Sequence, residues 1–322
     1  MAQLDFAFVM DPMEKVHPDK DTTFVLMLES LARGHACWHV VANRLQLRSG
    51  KAYARGRRVT VQRGDPAFTY HEWRDFAFEE MDAVWIRTDP PFDMAYYEAT
   101  LILDRAKDDT VILNDPTGVR GANEKLYALN FPDVVPRSIV ACDPEPILAF
   151  IEEIGGDAVL KPIDMMGGFG IFRARLGDEN LPSLIDYMTL ERKRRIFVQQ
   201  FIPRVYEGDK RIILCNGEPL GAVLRVPREG DFRGNIHVGG RVRKTDLDDD
   251  DKRIIETVAP RLRADGLYLV GIDVVGGCLT EVNVTSPTGV QEINRLNGSR
   301  IEGDLIDFAE GLVAQRKAGA AR

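Results

Sequence analysis

The sequence is poor in the residues that build redox, zinc and covalent-catalytic sites. It has four cysteines and five histidines in 322 residues. Cys37, Cys142, Cys215 and Cys278 lie far apart, each in an apolar run, so buried free thiols are expected. No CxxC or Cys/His spacing marks a zinc site. No Ser/His or Cys/His arrangement offers an activated nucleophile. His17, His35, His39 and His71 share no ligand spacing, and His237 stands alone in a loop. No apolar stretch approaches the roughly 20 residues of a membrane span, and MAQLDFAFVMDP at the start lacks the basic region of a signal peptide. A cytoplasmic protein with no membrane partner is therefore expected. A net charge of −8 argues against a nucleic-acid partner. No GxGxxG follows the first apolar run, which counts against a dinucleotide site.

What remains is an ordinary globular composition, 44% hydrophobic and 29% charged, long enough for one large or two to three small domains. The chain opens as β-loop-α-β. Leu4 to Met10 reads as a strand, Asp21-Thr22-Thr23 as a cap before the helix FVLMLESLARG, and Ala36 to Val41 as a second strand. That order predicts a parallel α/β sheet. Residues 44 to 62 read as short strands with polar turns, Ala83 to Arg87 and Thr110 to Asn114 as strands, and Met94 to Lys107 as a helix. A break is expected at Asp115-Pro116, with Gly121 to Lys125 opening the next helix. Short α and β units then follow, mixed rather than alternating. The closing helix is expected from Glu302 to Gln315, with a frayed end beyond it.

The stretch from Tyr268 to Gly289 reads as a β-hairpin broken by Gly276-Gly277. Asp273, Glu281 and Asn283 interrupt its apolar runs. Buried acids need a partner or a cation, and hard oxygens without His or Cys suit Mg²⁺; the plainer reading is a half-exposed hairpin with solvated acids. A two-residue turn would pair Asp273 with Thr280 and turn it away from Glu281. A shared face therefore predicts a bulge at Gly276-Gly277-Cys278.

Four further stretches and a set of arginines carry chemistry. LKPIDMMGGFGIF ends a strand at Lys161 and continues into a glycine turn, which either covers a phosphate or is a tight hairpin. VQQFI, ending at Ile202 before Pro203, is a core strand or the edge that meets a purine. Arg87, Arg211 and Arg225 sit in or at the end of β-runs, where an anion or a surface carboxylate would satisfy them. Residues 227 to 243, rich in glycine and arginine, form either a lid or a solvent loop. TSPTG at 285–289 can hold a small carboxylate or simply end the strand.

Taken in order, these segments resemble the ATP-grasp ligases, and most closely the prokaryotic glutathione synthetases. The resemblance rests on VMDP (9–12), RTDPPFD (87–93), NEKL (123–126), LKPIDMMGG (160–168), GDKR (208–211), RGN (233–235), GGR (239–241), GIDVVG and LTEVNVTSPTG. It implies an N-terminal parallel α/β domain followed by a two-lobed α+β ATP-grasp domain, divided at about 1–124, 125–204 and 205–322. It implies ATP and two Mg²⁺ ions, with Mn²⁺ as an alternative. Lys125 and Lys161 would hold phosphates. Gln199, Gln200, Phe201 and Ile202 would face the adenine, and Asp209, with Glu207 second, the ribose. Asp273, Glu281 and Asn283 would hold metal. Arg87, Arg211, Arg225 and Arg233 would meet γ-glutamylcysteine, the last three acting on developing charge. Ser286 and Thr288 would bind glycine. The implied reaction makes glutathione, ADP and phosphate through an acyl phosphate, and the implied assembly is a homotetramer. A ligase for another acid and amine, or a non-catalytic nucleotide-binding module, are the rival readings. Met165 stands where similar enzymes carry glycine, which predicts a stiffer phosphate loop, and Thr88 where lysine is common.

Overall fold

A computed structural model describes residues 3–234 and 240–320. Three sheets follow one another along the chain. The first contains β1 (Asp5–Met10), β2 (Ala36–Val40), β3 (Leu45–Arg48), β4 (Lys51–Val61), β5 (Phe68–Ala77), β6 (Ala83–Arg87) and β7 (Val111–Leu113). Its centre, β2-β1-β6-β7, is parallel as expected, and β4 extends it with antiparallel β3 and β5. Both central strands β1 and β6 are buried almost throughout, which explains their continuous apolar runs. Helix α1 (Thr22–Ala32) starts at Asp21, whose carboxylate accepts the Phe24 N–H. Helix α2 (Met94–Leu103) ends four residues earlier than the pattern suggests, in a tighter turn over 104–106.

The helix expected to open at Gly121 lies before it instead. Asp115 caps α3 (Pro116–Gly121), with Pro116 at the first position, where its missing N–H costs nothing. Residues 123–126 then turn on Asn123, whose side-chain oxygen accepts the N–H groups of Lys125 and Leu126 at 3.1 Å.

The second sheet is antiparallel, in the order β10-β9-β11-β8, from β8 (Ser138–Ala141), β9 (Asp157–Pro162), β10 (Phe172–Arg175) and β11 (Ile196–Gln200). Helices α4 (Pro144–Glu153) and α5 (Leu181–Thr189) complete this lobe, which has its own core around Ile147, Ile151, Leu160, Ile185 and Val198. The third sheet is β14-β13-β12-β15-β16, formed by β12 (Asp209–Cys215), β13 (Glu218–Val226), β14 (Arg241–Lys244), β15 (Leu269–Val275) and β16 (Cys278–Asn283). It shares its core with the first sheet, so these two pack as one body around Val84, Ile112, Ile212, Leu262 and Val282. Buried Asn114 stitches them: its amide donates to the carbonyls of Leu269 and Val284 at 2.9 and 2.8 Å and accepts the Leu269 N–H at 2.7 Å.

Two readings of the C-terminal half need correction. Residues 241–243, assigned to a loop, belong to edge strand β14 (Arg241–Lys244) against β13; their arginines hide the strand pattern. Helices α6 (Asp249–Ala264), α7 (Val290–Asn297) and α8 (Ile301–Ala320) complete the fold, and α8 continues through residues 317–320 of the end expected to fray. Within the predicted lid, residues 235–239 with His237 lie outside the described residues.

Candidate active site

The β15–β16 hairpin turns on Gly276-Gly277, both left-handed at φ +57° and +80°, and Val275 pairs directly with Cys278. The turn therefore holds two residues, and the predicted bulge at Gly276 to Cys278 is absent. The extra residue is Thr280, where the register shifts, so that Asp273 pairs with Glu281 and Gly271 with Asn283. The three oxygen-bearing side chains thus share a face after all. Thr280 closes the bulge by donating its hydroxyl to the Asp273 carbonyl at 3.1 Å.

Neighbouring β12 and β13 bring arginines to that face. Arg211 grips Asp273 with two nitrogens, at 2.5 and 2.9 Å, and Arg225 reaches Asp273 at 2.9 Å and Asp209 at 2.5 Å. All four groups are buried. Burial opposes charge on Asp273, but Arg211 and Arg225 outweigh it and hold its carboxyl well below the usual range. Asp209 is pushed up to about 6 by burial, with Asp273 adding to the effect of burial and Arg225 opposing it. Lys161 is lowered by burial despite Glu281, which stands 3.9 Å away. Asp209 Oδ1 and Arg225 Nε have no hydrogen-bond partner among the described residues. Buried orphans of this kind fit a polar ligand in the adjoining cleft.

That cleft lies between the second and third sheets and is lined by Lys161, Gln199 to Ile202, Asp209, Phe232, Arg233, Asp273 and Glu281 among others. Gln199 does more than face it: its side-chain oxygen holds the Lys161 ammonium at 3.1 Å. The Phe201 N–H is spent on the Asp157 carbonyl, while its ring lies 3.6 Å beneath the Arg173 guanidinium and edge-on to Phe232. Phe232 and Arg173 carried no sequence signal beyond their neighbours.

Lys125 is buried, and its ammonium contacts Glu124 and donates to the Met165 carbonyl at 2.6 Å. It therefore anchors the glycine turn. Left-handed backbone in that turn falls on Gly167, Gly168 and Gly170, while Met165 stands outside the positive-φ region, so its side chain imposes no backbone strain. From the base of the predicted lid, Arg233 donates to the Gly168 carbonyl at 3.1 Å and pairs with Asp231 at 2.8 Å.

A second, larger cleft is lined by Lys15, His17, Lys20, Arg211, Arg225, Asn283, Ser286 and Thr288, and shares Glu281 with the first. The 285–289 turn is held by its carbonyls: Arg211 donates to Thr288 at 3.1 Å and Arg87 to Pro287 at 3.0 Å. Arg87 is buried with Thr23 as its other partner, so it supports the turn from behind. Gly271 allows this packing, because a Cβ there would stand 3.0 Å from Pro287 and 3.2 Å from Arg211. Among the described residues no three His, Cys, Asp or Glu side chains cluster as a metal site. Asp273 gives both oxygens to arginines, so a cation would have to share it, drawing on Glu281 and Asn283.

Two family models match this chain: the prokaryotic glutathione synthetase N-terminal domain over residues 4–120, and its ATP-grasp domain over 124–298. The chain belongs to the prokaryotic glutathione synthetases. Glutathione synthetase of Gloeobacter violaceus is 45% identical over 94% of this chain and 95% of its own length. That of Mesorhizobium japonicum is 42% identical over 96% and 99%. As a member of the prokaryotic glutathione synthetases, the chain is an ATP-dependent ligase of glutathione synthesis that uses a divalent metal. Solved structures agree on the ATP-grasp fold alone. The RimK-domain ATP-grasp protein of Sphaerobacter thermophilus has a TM-score of 0.62 at 19% identity, covering 95% of this chain and 99% of that one. The ATP-grasp ligase PsnB complexed with minimal precursor gives 0.63 at 17%, covering 97% and 99%.

Proposed function

We propose that the two clefts hold the two halves of one reaction, with ATP in the smaller and γ-glutamylcysteine with glycine in the larger. The observation that carries this is Glu281, which lines both clefts and stands beside Lys161 and the Arg211–Asp273–Arg225 network. The cysteinyl carboxylate attacks the γ-phosphorus, ADP leaves, and an acyl phosphate forms. The glycine amine then attacks the acyl carbon, and phosphate leaves as the amide bond forms.

Lys161, steadied by Gln199, and Lys125, through the glycine turn, position the phosphates. Gln200, Phe201 and Ile202 line the adenine end, and the orphaned Asp209 Oδ1 offers an acceptor to a ribose hydroxyl. Asp273, Glu281 and Asn283 supply the oxygens for two Mg²⁺ or Mn²⁺ ions. When bound, the metal neutralises charge on the transferring phosphoryl group. Arg211, Arg225 and Arg233 meet the charge that develops during transfer. Ser286 and Thr288 face the glycine carboxylate, and Arg87 keeps their turn in place.

The proposal includes a division at about 1–124, 125–204 and 205–322, which the span of the three sheets supports, and a homotetramer in the cytoplasm. ADP release with γ-glutamylcysteine plus glycine, measured beside other acid and amine pairs, tests the substrate reading. ADP is expected with the named pair; ADP only with another pair would overturn it.

A further inference from the structure

Arg173 stands on β10, an edge strand of the second sheet, and is partly exposed. A side chain so placed contributes little through an ion pair alone. Yet all three of its guanidinium nitrogens are engaged. Nε donates to Asp157 at 2.8 Å, one Nη meets the other Asp157 oxygen, and the second Nη donates to the Tyr206 hydroxyl at 3.2 Å. A planar fork held at every nitrogen has a fixed orientation. It lies over the Phe201 ring, 3.6 Å from its centroid. Asp157 closes the circuit, because its carbonyl accepts the Phe201 N–H at 3.1 Å. One residue thus holds both the backbone that carries the ring and the cation that covers it. Two further rings pack on Phe201 edge-on, Tyr206 with centroids 6.2 Å apart and Phe232 with centroids 6.1 Å apart.

The position of Phe201 gives this arrangement a use. Among the described residues, Phe201 and Phe232 are the only aromatic side chains on the lining of the smaller cleft, and Arg173, Asp157 and Tyr206 do not line it. The two rings join Val159, Ile171, Ile202 and Val275 in the apolar part of that lining. A flat heterocycle packs against such a wall through ring faces and edges, so its fit depends on where the rings stand. A cation over one face of Phe201 and rings at its edges remove the freedom that binding would otherwise have to remove.

We infer that Arg173 is a positioning residue for the nucleotide, holding the Phe201 ring where the base of ATP packs. This rests on the placement of ATP in the smaller cleft proposed above. Arg173 acts through Phe201 and touches no substrate, so its effect falls on nucleotide affinity and not on the transfer step.

Calorimetric titration with ADP, beside steady-state KM and kcat, tests it. Arg173→Met keeps a chain over the ring and removes the cation. ADP affinity should fall about fivefold and the KM for ATP rise to match, with kcat within about twofold of wild type. Arg173→Lys keeps a cation without the fork and should lose less. If Arg173 only fastened β10, its loss would weigh the same whatever residue stood at 201. Phe201→Leu should itself weaken ADP binding, and Arg173→Met added to it should change affinity by less than about twofold. Melting temperatures confirm that each variant folds; should Arg173→Met not fold, Arg173→Lys takes its place in the cycle. An unchanged ADP affinity in Phe201→Leu would overturn the placement of ATP and this inference with it. A weakened Phe201→Leu beside an unaffected Arg173 variant, an equal loss in both backgrounds, or a loss of kcat instead of affinity would overturn this inference alone.

Discussion

The chain carries two ionic networks of similar size, one largely buried on the third sheet and one partly exposed beside α1 and α8, and the proposed reaction uses only the first. Between α1 and α8, Arg33 bonds Glu29 at 2.9 Å and Glu310 at 3.1 Å, His35 meets Glu310 at 2.7 Å, and Arg300 reaches Glu29 at 2.5 Å. On the third sheet, Arg211 and Arg225 meet Asp273 and Asp209 at comparable distances. The helix network is complete, with no orphaned atom among the described residues, and it faces neither cleft. Among the described residues, the sheet network leaves Asp209 Oδ1 and Arg225 Nε without hydrogen-bond partners, and it lines both clefts. Buried charge alone does not mark a site. Charge that is incompletely satisfied and opens on a cavity does.

Two substitutions should show the sheet network's double role. Asp273→Ala strands two buried guanidinium groups, and removing one partner of such a network costs about 3–5 kcal/mol. Urea unfolding should show that loss, and turnover should vanish with it. An unchanged unfolding midpoint would mean that the arginines find other partners and that Asp273 matters less to the fold than its burial suggests. Glu281→Gln keeps the shape of the side chain and removes charge where the clefts meet. Turnover is expected to fall about 10²–10³-fold, with stability changed by less than about 1 kcal/mol. Near-normal ADP release would remove Glu281 from the reaction.

The helix network should respond in the opposite sense. Glu310→Ala takes one acceptor from Arg33 and the partner of His35, and hydrogen bonds to charged groups contribute about 1.5–3 kcal/mol. Thermal unfolding should register about 2 kcal/mol, while the rate of ADP release stays within about twofold of wild type. A large loss of rate at full folding would end the distinction between the two networks.

How far each region could be read beforehand follows the same contrast. The parallel strands were legible because a strand buried on both faces is apolar throughout, as in FAFVM and AVWIR. The Gly276-Gly277 turn was legible because left-handed backbone favours glycine. The need for a bulge was legible too, but its place was not, because Thr280 looks like any strand residue and its role depends on which residue it fails to pair with. Strand β5 was missed for a related reason: a ribbon exposed on both faces shows no alternation. At the site, Asp273, Glu281, Asn283, Arg211 and Arg225 stood out as polar residues in apolar runs. Glu124 did not, although burial, and then the charge of Glu281, pushes its carboxyl up to about 6. Arg87 was visible as a costly arginine, but its partner is the Pro287 carbonyl, which no spacing in sequence announces.

The glycine turn brings the smallest expected effect and the sharpest reading of a single substitution. Sequence comparison with similar enzymes singled out Met165 as a residue that would stiffen the phosphate loop. Its backbone, however, lies outside the left-handed region, and its carbonyl is held by Lys125 through a contact that any residue at this position could make. The Met165 side chain is exposed and lines the wall of a cleft beside Pro90 and Asn123. Met165→Gly therefore adds freedom mainly to the unfolded chain. It should lower stability by about 0.4–1 kcal/mol and leave turnover within about twofold. If turnover instead rises severalfold in steady-state ADP release, the side chain rather than the backbone restrains the loop, and the hindrance must come from contacts that form as the turn closes on substrate.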